Sequence, residues 1–149
     1  MKLPEKIYHW SIKSYKQWLE LYEKWYRSVD WNVDFSNQHI SKIEKFPEII
    51  KWDLYLNGNN IKSLEWITKH ILWCFICRNN FLTTTKYLPI VDYWIDLSKN
   101  LIQELEDFNN QKFKYPIILS YNKLKTLKWL PSRISWDLDA SYNNLTNFL

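Results

Sequence analysis

The residue pair in this chain that most resembles a chemical site is Cys74 and Cys77, since two cysteines at this spacing are typical of metal and redox sites. Both fall within one predicted strand. Strand residues three positions apart point to opposite faces, so we expect that the two sulfurs cannot hold one ion. A single pair is also too few ligands for a structural zinc site. The sequence therefore predicts one core thiol, one surface thiol, and neither a metal nor another cofactor.

The three histidines do not predict a catalytic arrangement. His9 precedes the repeats described below, His39 lies in a predicted turn, and His70 begins a predicted strand. No serine or cysteine nucleophile is predicted beside any of them, as acyl-transfer chemistry would require. Asp137 and Asp139, two apart on one strand face, are expected to form a solvated acidic patch rather than a catalytic pair. We predict that the protein is not an enzyme.

Composition narrows the class of protein. Hydrophobic residues make up 46% and charged residues 24% of the 149 residues, which is typical of a globular domain. The net charge is +4, the basic residues are dispersed, and no apolar run is long enough to span a membrane. We expect neither a nucleic acid nor a membrane as partner. No signal peptide is recognisable, so we expect a cytoplasmic location, in a host cell if the protein is viral.

An amide side chain recurs along most of the chain at intervals of 20 to 22 residues. The clearest unit reads Leu54-x-Leu56-x-x-Asn59-x-Ile61-x-x-Leu64. Because a side-chain amide both donates and accepts hydrogen bonds, we predict that these residues form a bonded column between successive units. The six predicted members of the column are Gln38, Asn59, Asn79, Asn100, Asn122 and Asn143.

This pattern resembles the leucine-rich repeat of the short class, found in phosphatase regulatory subunits and certain bacterial effectors. The resemblance covers residues 29–149, which we take as one solenoid domain. It implies an α/β fold, namely a right-handed solenoid of about six repeats with a parallel β-sheet on its concave face.

One departure from the family pattern involves aromatic residues that stand two places before the strand pair. Apolar residues alternate backwards from that pair, so we predict that each strand begins earlier than usual. The aromatics are expected to stack into a ladder beside the leucine rows. They are Trp31, Trp52, Tyr93, Tyr115 and Trp136, with Leu72 in the equivalent place of the third unit.

The two ends of the chain carry separate predictions. Residues 1–28 predict an amphipathic capping helix over about 15–27, which begins with a capping-box pattern at Ser14 and Gln17. The alternative is a degenerate F-box, which residues 3–5 and 25–29 weakly resemble, and which implies a substrate-recruiting subunit of a ubiquitin ligase. At the other end, Leu145, Phe148 and Leu149 predict an uncapped apolar surface that joins other chains, as in a self-assembling structural protein.

Alternate strand residues are expected to face the concave surface, where aromatic side chains cluster. Clustered exposed aromatics are frequent anchors of protein contacts. We predict a protein-protein interaction module whose macromolecular partner binds this face. A shift of one residue in the third unit would instead place two of its aromatics in the core. The predicted binding residues are Tyr55, Trp73, Phe75, Trp94, Asp96, Ile118 and Tyr121.

Overall fold

A computed structural model describes residues 14–21, 28–108, 111, 114–131, 133–134 and 137–146. In this part of the chain one helix, α1 (Tyr15–Leu21), precedes ten strands of two residues each. The strands are β1 (Ser28–Val29), β2 (Val33–Asp34), β3 (Ile49–Ile50), β4 (Leu54–Tyr55), β5 (His70–Ile71), β6 (Phe75–Ile76), β7 (Ile90–Val91), β8 (Ile95–Asp96), β9 (Ile117–Ile118) and β10 (Leu138–Asp139).

The strands form two parallel sheets that run along the same coil. One sheet has four strands in the order β1-β3-β5-β7, and the other has six in the order β10-β9-β8-β6-β4-β2. The paired residues lie 20 to 22 positions apart, as in Val33 with Leu54 and Ile95 with Ile117. This spacing equals the repeat length, so each coil stacks on the next. The chain is therefore a parallel β-solenoid of about five turns.

Each of the first four coils holds two short strands, whereas the sequence predicted one strand that begins early. A three-residue bend, such as 51–53 between β3 and β4, separates the two strands. The bend carries an aromatic side chain that stays outside the core, and Trp52 is 44% exposed. The alternation of inward and outward side chains therefore stops at the bend, because the aromatic ring there points outward, whereas a continuous strand would point it into the core. The prediction of a single longer strand was wrong.

The core lies between the two sheets and the turns opposite them. Fully buried side chains enter it from the four-stranded sheet at Ile50 and Ile71, and from the six-stranded sheet at Leu54, Phe75 and Ile95. On the third side, i-to-i+3 hydrogen bonds close tight turns, as from Ile67 N to Leu64 O at 3.1 Å. Burial of such rows stabilises the fold at about 25 cal/mol per Å² of apolar surface, and only stacked coils achieve it.

A column of asparagines joins successive coils at the turn that follows the six-stranded sheet. Asn59 Oδ1 accepts hydrogen bonds from the backbone N of Gln38 and of Ile40, at 2.9 and 3.0 Å. Asn59 Nδ2 donates to Phe35 O in the previous coil and to Leu56 O in its own, both at 2.9 Å. The same bonds recur at later members, and they satisfy backbone groups that would otherwise be buried without partners. The later members are Asn80, Asn100, Asn122 and Asn143.

The third member of the column is Asn80, so the prediction of Asn79 was wrong by one residue. Asn80 is buried, and its Oδ1 accepts from Ile61 N at 3.0 Å. Asn79 is exposed and occupies the turn with a φ of 56°. The parallel pairing of Leu54 with Phe75 fixes this register. The shift also reverses the two thiols, because Cys77 is in the core and Cys74 is half-buried on the outer side.

Helix α1 packs on the first coil through two buried aromatic residues. The rings of Tyr15 and Trp18 lie 5.4 and 5.9 Å from the ring of Phe35. Tyr15 N donates to Gln38 Oε1 at 2.6 Å, so the first residue of the predicted amide column binds the helix. Burial raises the pKa of Tyr15 to about 12. The predicted continuation of the helix through residues 22–27 lies outside the described residues, and no described helix is long and apolar enough to cross a membrane.

Replacing Asn80 with alanine should lower the free energy of unfolding by about 2 kcal/mol or more, because Ile61 N and Leu56 O lose their buried partner. Asn79→Gly is the matched control, since glycine adopts the positive φ freely. We expect the control to stay within about 0.5 kcal/mol of the wild type in urea unfolding. Equal losses in the two variants would contradict the register.

Replacing Phe75 with alanine should cost about 3–5 kcal/mol, because the ring is fully buried and its removal leaves a cavity. Trp73→Ala is the comparison, since its ring is 42% exposed and packs chiefly in a surface stack. That variant should cost about 1–2 kcal/mol. Thermal unfolding followed by circular dichroism measures both, and a larger loss for Trp73→Ala would show that Phe75 does not anchor the core.

Candidate binding surface

The outward side of the six-stranded sheet is the face that the sequence predicted to be concave. We call it the β-face and define it by two rows of residues. The first row contains the outward strand residues Asp34, Tyr55, Ile76, Asp96, Ile118 and Asp139. The second row contains the residues two positions before them, namely Asn32, Asp53, Cys74, Trp94, Pro116 and Asp137.

The middle of the β-face is apolar. Tyr55, Trp94 and Ile118 are half-buried, and Ile76 is buried but does not belong to the core cluster. Tyr55 is held in place because its hydroxyl donates to Asp53 Oδ2 at 2.9 Å. Desolvation, and then this carboxylate, raise the pKa of Tyr55 to about 12, so the hydroxyl remains a donor at neutral pH. The centre of the face is therefore an ordered apolar patch.

Trp94 carries an unusual feature for a surface residue. Its indole Nε1 is buried and has no hydrogen-bond partner in the described part of the chain. A buried donor without a partner costs about 1–3 kcal/mol, and most such groups in proteins are satisfied.

Five carboxylates belong to the β-face, and its two rows contain no lysine or arginine. Three of the carboxylates share one local motif, in which the aspartate Oδ1 accepts from the backbone N of the serine two residues later. The distances are 2.9 Å at Asp34, 2.9 Å at Asp96 and 3.0 Å at Asp139. At Asp139 the Ser141 hydroxyl also donates, and these bonds lower the pKa of the carboxyl group. Sequence reasoning missed this motif, although Asp-x-Ser recurs at the same place in three units.

The aspartates of the β-face form no ion pair within the described part of the chain. Among the described residues no ion pair involves any of the five, whose members are Asp34, Asp53, Asp96, Asp137 and Asp139. Asp34, Asp137 and Asp139 are exposed, while Asp96 is 5% exposed. The exposed carboxylates therefore lie toward the two ends of the sheet.

An aromatic ladder borders the β-face at the bend between the two sheets. The rings of Trp52, Trp73, Tyr93 and Tyr115 stack in this order, with centroids 5.6, 5.0 and 3.6 Å apart. The ladder was predicted, but its third-unit member is Trp73 rather than Leu72. Trp136, the last predicted member, lies outside the described residues. Because the rings cover one another, the ladder presents mainly ring edges to a partner.

A second aromatic border lies at the turn that follows the strands. Tyr121 and Tyr142 stack with centroids 4.2 Å apart, and Lys99 Nζ lies 5.8 Å from the Tyr121 ring centroid. All three residues have a φ between 53° and 56°, which bulky side chains rarely adopt. A hydrogen bond with the stacked Tyr142 raises the pKa of Tyr121.

The structure gathers most of the predicted binding residues but corrects two of them. Trp94 lies on the β-face beside Tyr55, Asp96 and Ile118, and Tyr121 lies on its turn border. The two predicted residues that lie elsewhere are Phe75, which is in the core, and Trp73, which is in the aromatic ladder at the bend. Both errors follow from the shift of one residue in the third unit. The same shift hid Cys74 and Ile76, which occupy the β-face instead.

The described residues offer little for nucleophilic or metal chemistry. Burial raises the pKa of the Cys77 thiol, and burial together with Asp53 raises that of Cys74 to about 12. Both therefore stay protonated at neutral pH, which makes them poor nucleophiles and ligands. His70 Nε2 lies 2.9 Å from Asp92 Oδ1. Among the described residues no group of three or more His, Cys, Asp or Glu is placed to hold a metal ion.

Comparison with protein-family models, with curated proteins and with solved structures finds no match for this chain.

Proposed function

We propose that this protein is a non-enzymatic binding module whose β-face recognises a protein partner. The observation that carries the proposal is the apolar patch of Tyr55, Ile76, Trp94 and Ile118, with the buried, unpartnered indole N–H of Trp94 within it. A patch of this kind, with carboxylates around it, has the composition of a protein interface, where aromatic residues are enriched at the centre and polar groups at the rim.

The geometry of the aromatic residues favours a protein over a sugar as the ligand. Stacking between neighbouring coils occupies both ring faces of Trp73 and Tyr93 and one ring face each of Trp52 and Tyr115. Sugars bind to open ring faces, whereas ring edges and an apolar strip suit the side chains of a polypeptide. The carboxylates of the β-face also disfavour nucleic acid, which carries a dense negative charge.

The proposal includes membership of the leucine-rich-repeat class. The repeat length, the parallel six-stranded sheet and the asparagine column after each strand support this assignment. The second sheet is a feature that the resemblance did not predict. The concave shape of the β-face and the capping role of α1 are part of the same proposal, and the contacts of Tyr15 and Trp18 with Phe35 support the latter.

A comparison of two double variants tests the proposal. Tyr55→Ala with Ile118→Ala removes apolar surface from the β-face, while Trp66→Ala with Tyr87→Ala removes exposed aromatics elsewhere, 69% and 46% exposed in the wild type. Proteins that bind immobilised wild type are identified from the native source, and the captured partner is then purified. We expect the β-face variant to weaken the dissociation constant of that partner about tenfold or more, and the control less than about threefold.

Thermal unfolding of both double variants shows whether each remains folded, so that a loss of binding is not a loss of structure. Equal weakening by the two variants would contradict the β-face as the binding site.

The same measurements decide between the proposal and its two alternatives. Retention of a ubiquitin-ligase adaptor by both variants would favour the F-box hypothesis, whose residues 3–5 and 25–27 lie outside the described residues. Light scattering that shows concentration-dependent oligomers, unaffected by the β-face variant, would favour self-assembly. Of the residues predicted to form that apolar end, Phe148 and Leu149 also lie outside the described residues.

A further inference from the structure

We infer that the β-face binds an extended polypeptide segment that is cationic at both ends and apolar in the middle. This inference rests on the proposed function and specifies the chemistry of the partner. It draws on the charge of the β-face, on the distribution of that charge along the sheet, and on the free atoms of the carboxylates.

The charge of the β-face is opposite to that of the whole chain. The chain has a net charge of +4, yet the two rows of the face hold five aspartates and no lysine or arginine. The described ion pairs lie elsewhere, for example between Lys69 and Glu48. Lys99 lies on the turn border beside the middle of the sheet, so the face attracts a cationic segment most strongly at its two ends.

The exposed charges are divided between the two ends of the sheet. Asp34 lies on β2, while Asp137 and Asp139 lie at β10. Asp53, which precedes β4, is half-buried, and both of its carboxylate oxygens accept hydrogen bonds within the fold. Between the two ends stands the apolar patch, with the nearly buried Asp96 beside it. Neighbouring strands are about 4.8 Å apart, so five steps from β2 to β10 span roughly 24 Å. An extended chain rises about 3.3 Å per residue, so about seven residues separate the two cationic ends.

Each end offers carboxylate oxygens that the fold does not use. At Asp34 the local motif occupies Oδ1, and no hydrogen bond to its Oδ2 is found among the described residues. Asp139 Oδ1 is held by Ser141 and its carboxylate also bonds the Ser120 side chain, whereas no hydrogen bond to the Asp137 carboxylate is found among the described residues. A lysine or arginine of the partner can bind the free oxygen without disturbing the turn. In the middle, the apolar patch of Tyr55, Ile76 and Ile118 faces the apolar part of the segment.

Synthetic peptides test the inference by fluorescence anisotropy with the wild-type protein. The first probe, of about nine residues, has two lysines at each end and alternating valine and threonine between them. Its twin has glutamates in place of the lysines, and a third peptide carries all four lysines at one end. We expect the two-ended lysine peptide to bind about tenfold tighter than the glutamate twin and about threefold tighter than the one-ended peptide.

Charge-neutralising variants link this preference to the β-face. Asp34→Asn with Asp137→Asn keeps an acceptor oxygen at each position and should weaken the two-ended peptide about three- to tenfold. Glu65→Gln with Glu104→Gln removes the same charge from exposed positions outside the β-face and should change binding less than twofold, within about 0.4 kcal/mol. Raising the salt concentration should reduce the difference, because exposed charges are screened.

Equal binding of the lysine and glutamate peptides, or no saturable binding of either, would overturn the inference. The proposed function would survive that result if the natural partner still bound the wild type and lost affinity with Tyr55→Ala and Ile118→Ala. The proposed function alone would fail if the lysine peptide bound as inferred but the natural partner kept its full affinity for the β-face variant. A second copy of this chain as the bound partner would likewise overturn the inference and would appear in light scattering.

Discussion

The bond on which this solenoid depends is the one between an asparagine amide and the backbone of the previous coil. After the six-stranded sheet the chain turns, and its N–H and C=O groups enter the interior with no strand to pair with. Asn100 supplies both kinds of partner, since its Oδ1 accepts from Leu82 N and its Nδ2 donates to Cys77 O and Leu97 O. Because the amide bonds to the backbone of the previous coil, it also fixes the register between neighbouring coils. The apolar rows are then aligned, and the repeat length can vary between 20 and 22 residues without disrupting the stacking of the coils.

The turn imposes a second constraint, a positive φ at one position of each coil, although the chain contains only one glycine. The residue after the six-stranded sheet has a positive φ in every coil, and only at Gly58 is it glycine. A Cβ at Gly58 would clash with Asn37 Oδ1, so another residue there would require this exposed side chain to move and would also carry the strain of a φ of 61°. Elsewhere the position holds Asn37, Asn79, Lys99, Tyr121 or Tyr142, at a cost of about 1–2 kcal/mol for each non-glycine residue. Coil-to-coil packing offsets this cost, and Tyr121 and Tyr142 recover part of it through their ring stack.

These two constraints explain how much of the structure was predictable. The repeat length, the parallel stacking and four of the five asparagine positions of the column could be predicted, because each follows from one residue type at one spacing. The division into two sheets was not, since a bend and a strand both permit the same apolar alternation. The third unit was misread because Asn79 and Asn80 are adjacent and either fits the repeat length. On the β-face, Tyr55, Trp94 and Ile118 could be placed from strand parity, whereas Ile76 needed the correct register.

The register of the third unit shows why stability and recognition are connected in this protein. Had Asn79 been the column member, Phe75 and Cys77 would face outward, and Cys74 and Ile76 would enter the core. The outer surface would then carry a phenylalanine in the middle of the sheet, and the core would lose one of its two fully buried phenylalanine rings. The amide that satisfies the backbone thus also selects the side chains available to a partner. Since the local aspartate motifs hold the carboxylates in fixed positions, a partner that matches the spacing of these groups loses little side-chain entropy of the receptor on binding. Any change that moves a coil by one residue would therefore alter the core and the binding surface together, which is a reason for such a surface to be built on a stacked coil rather than on a free loop.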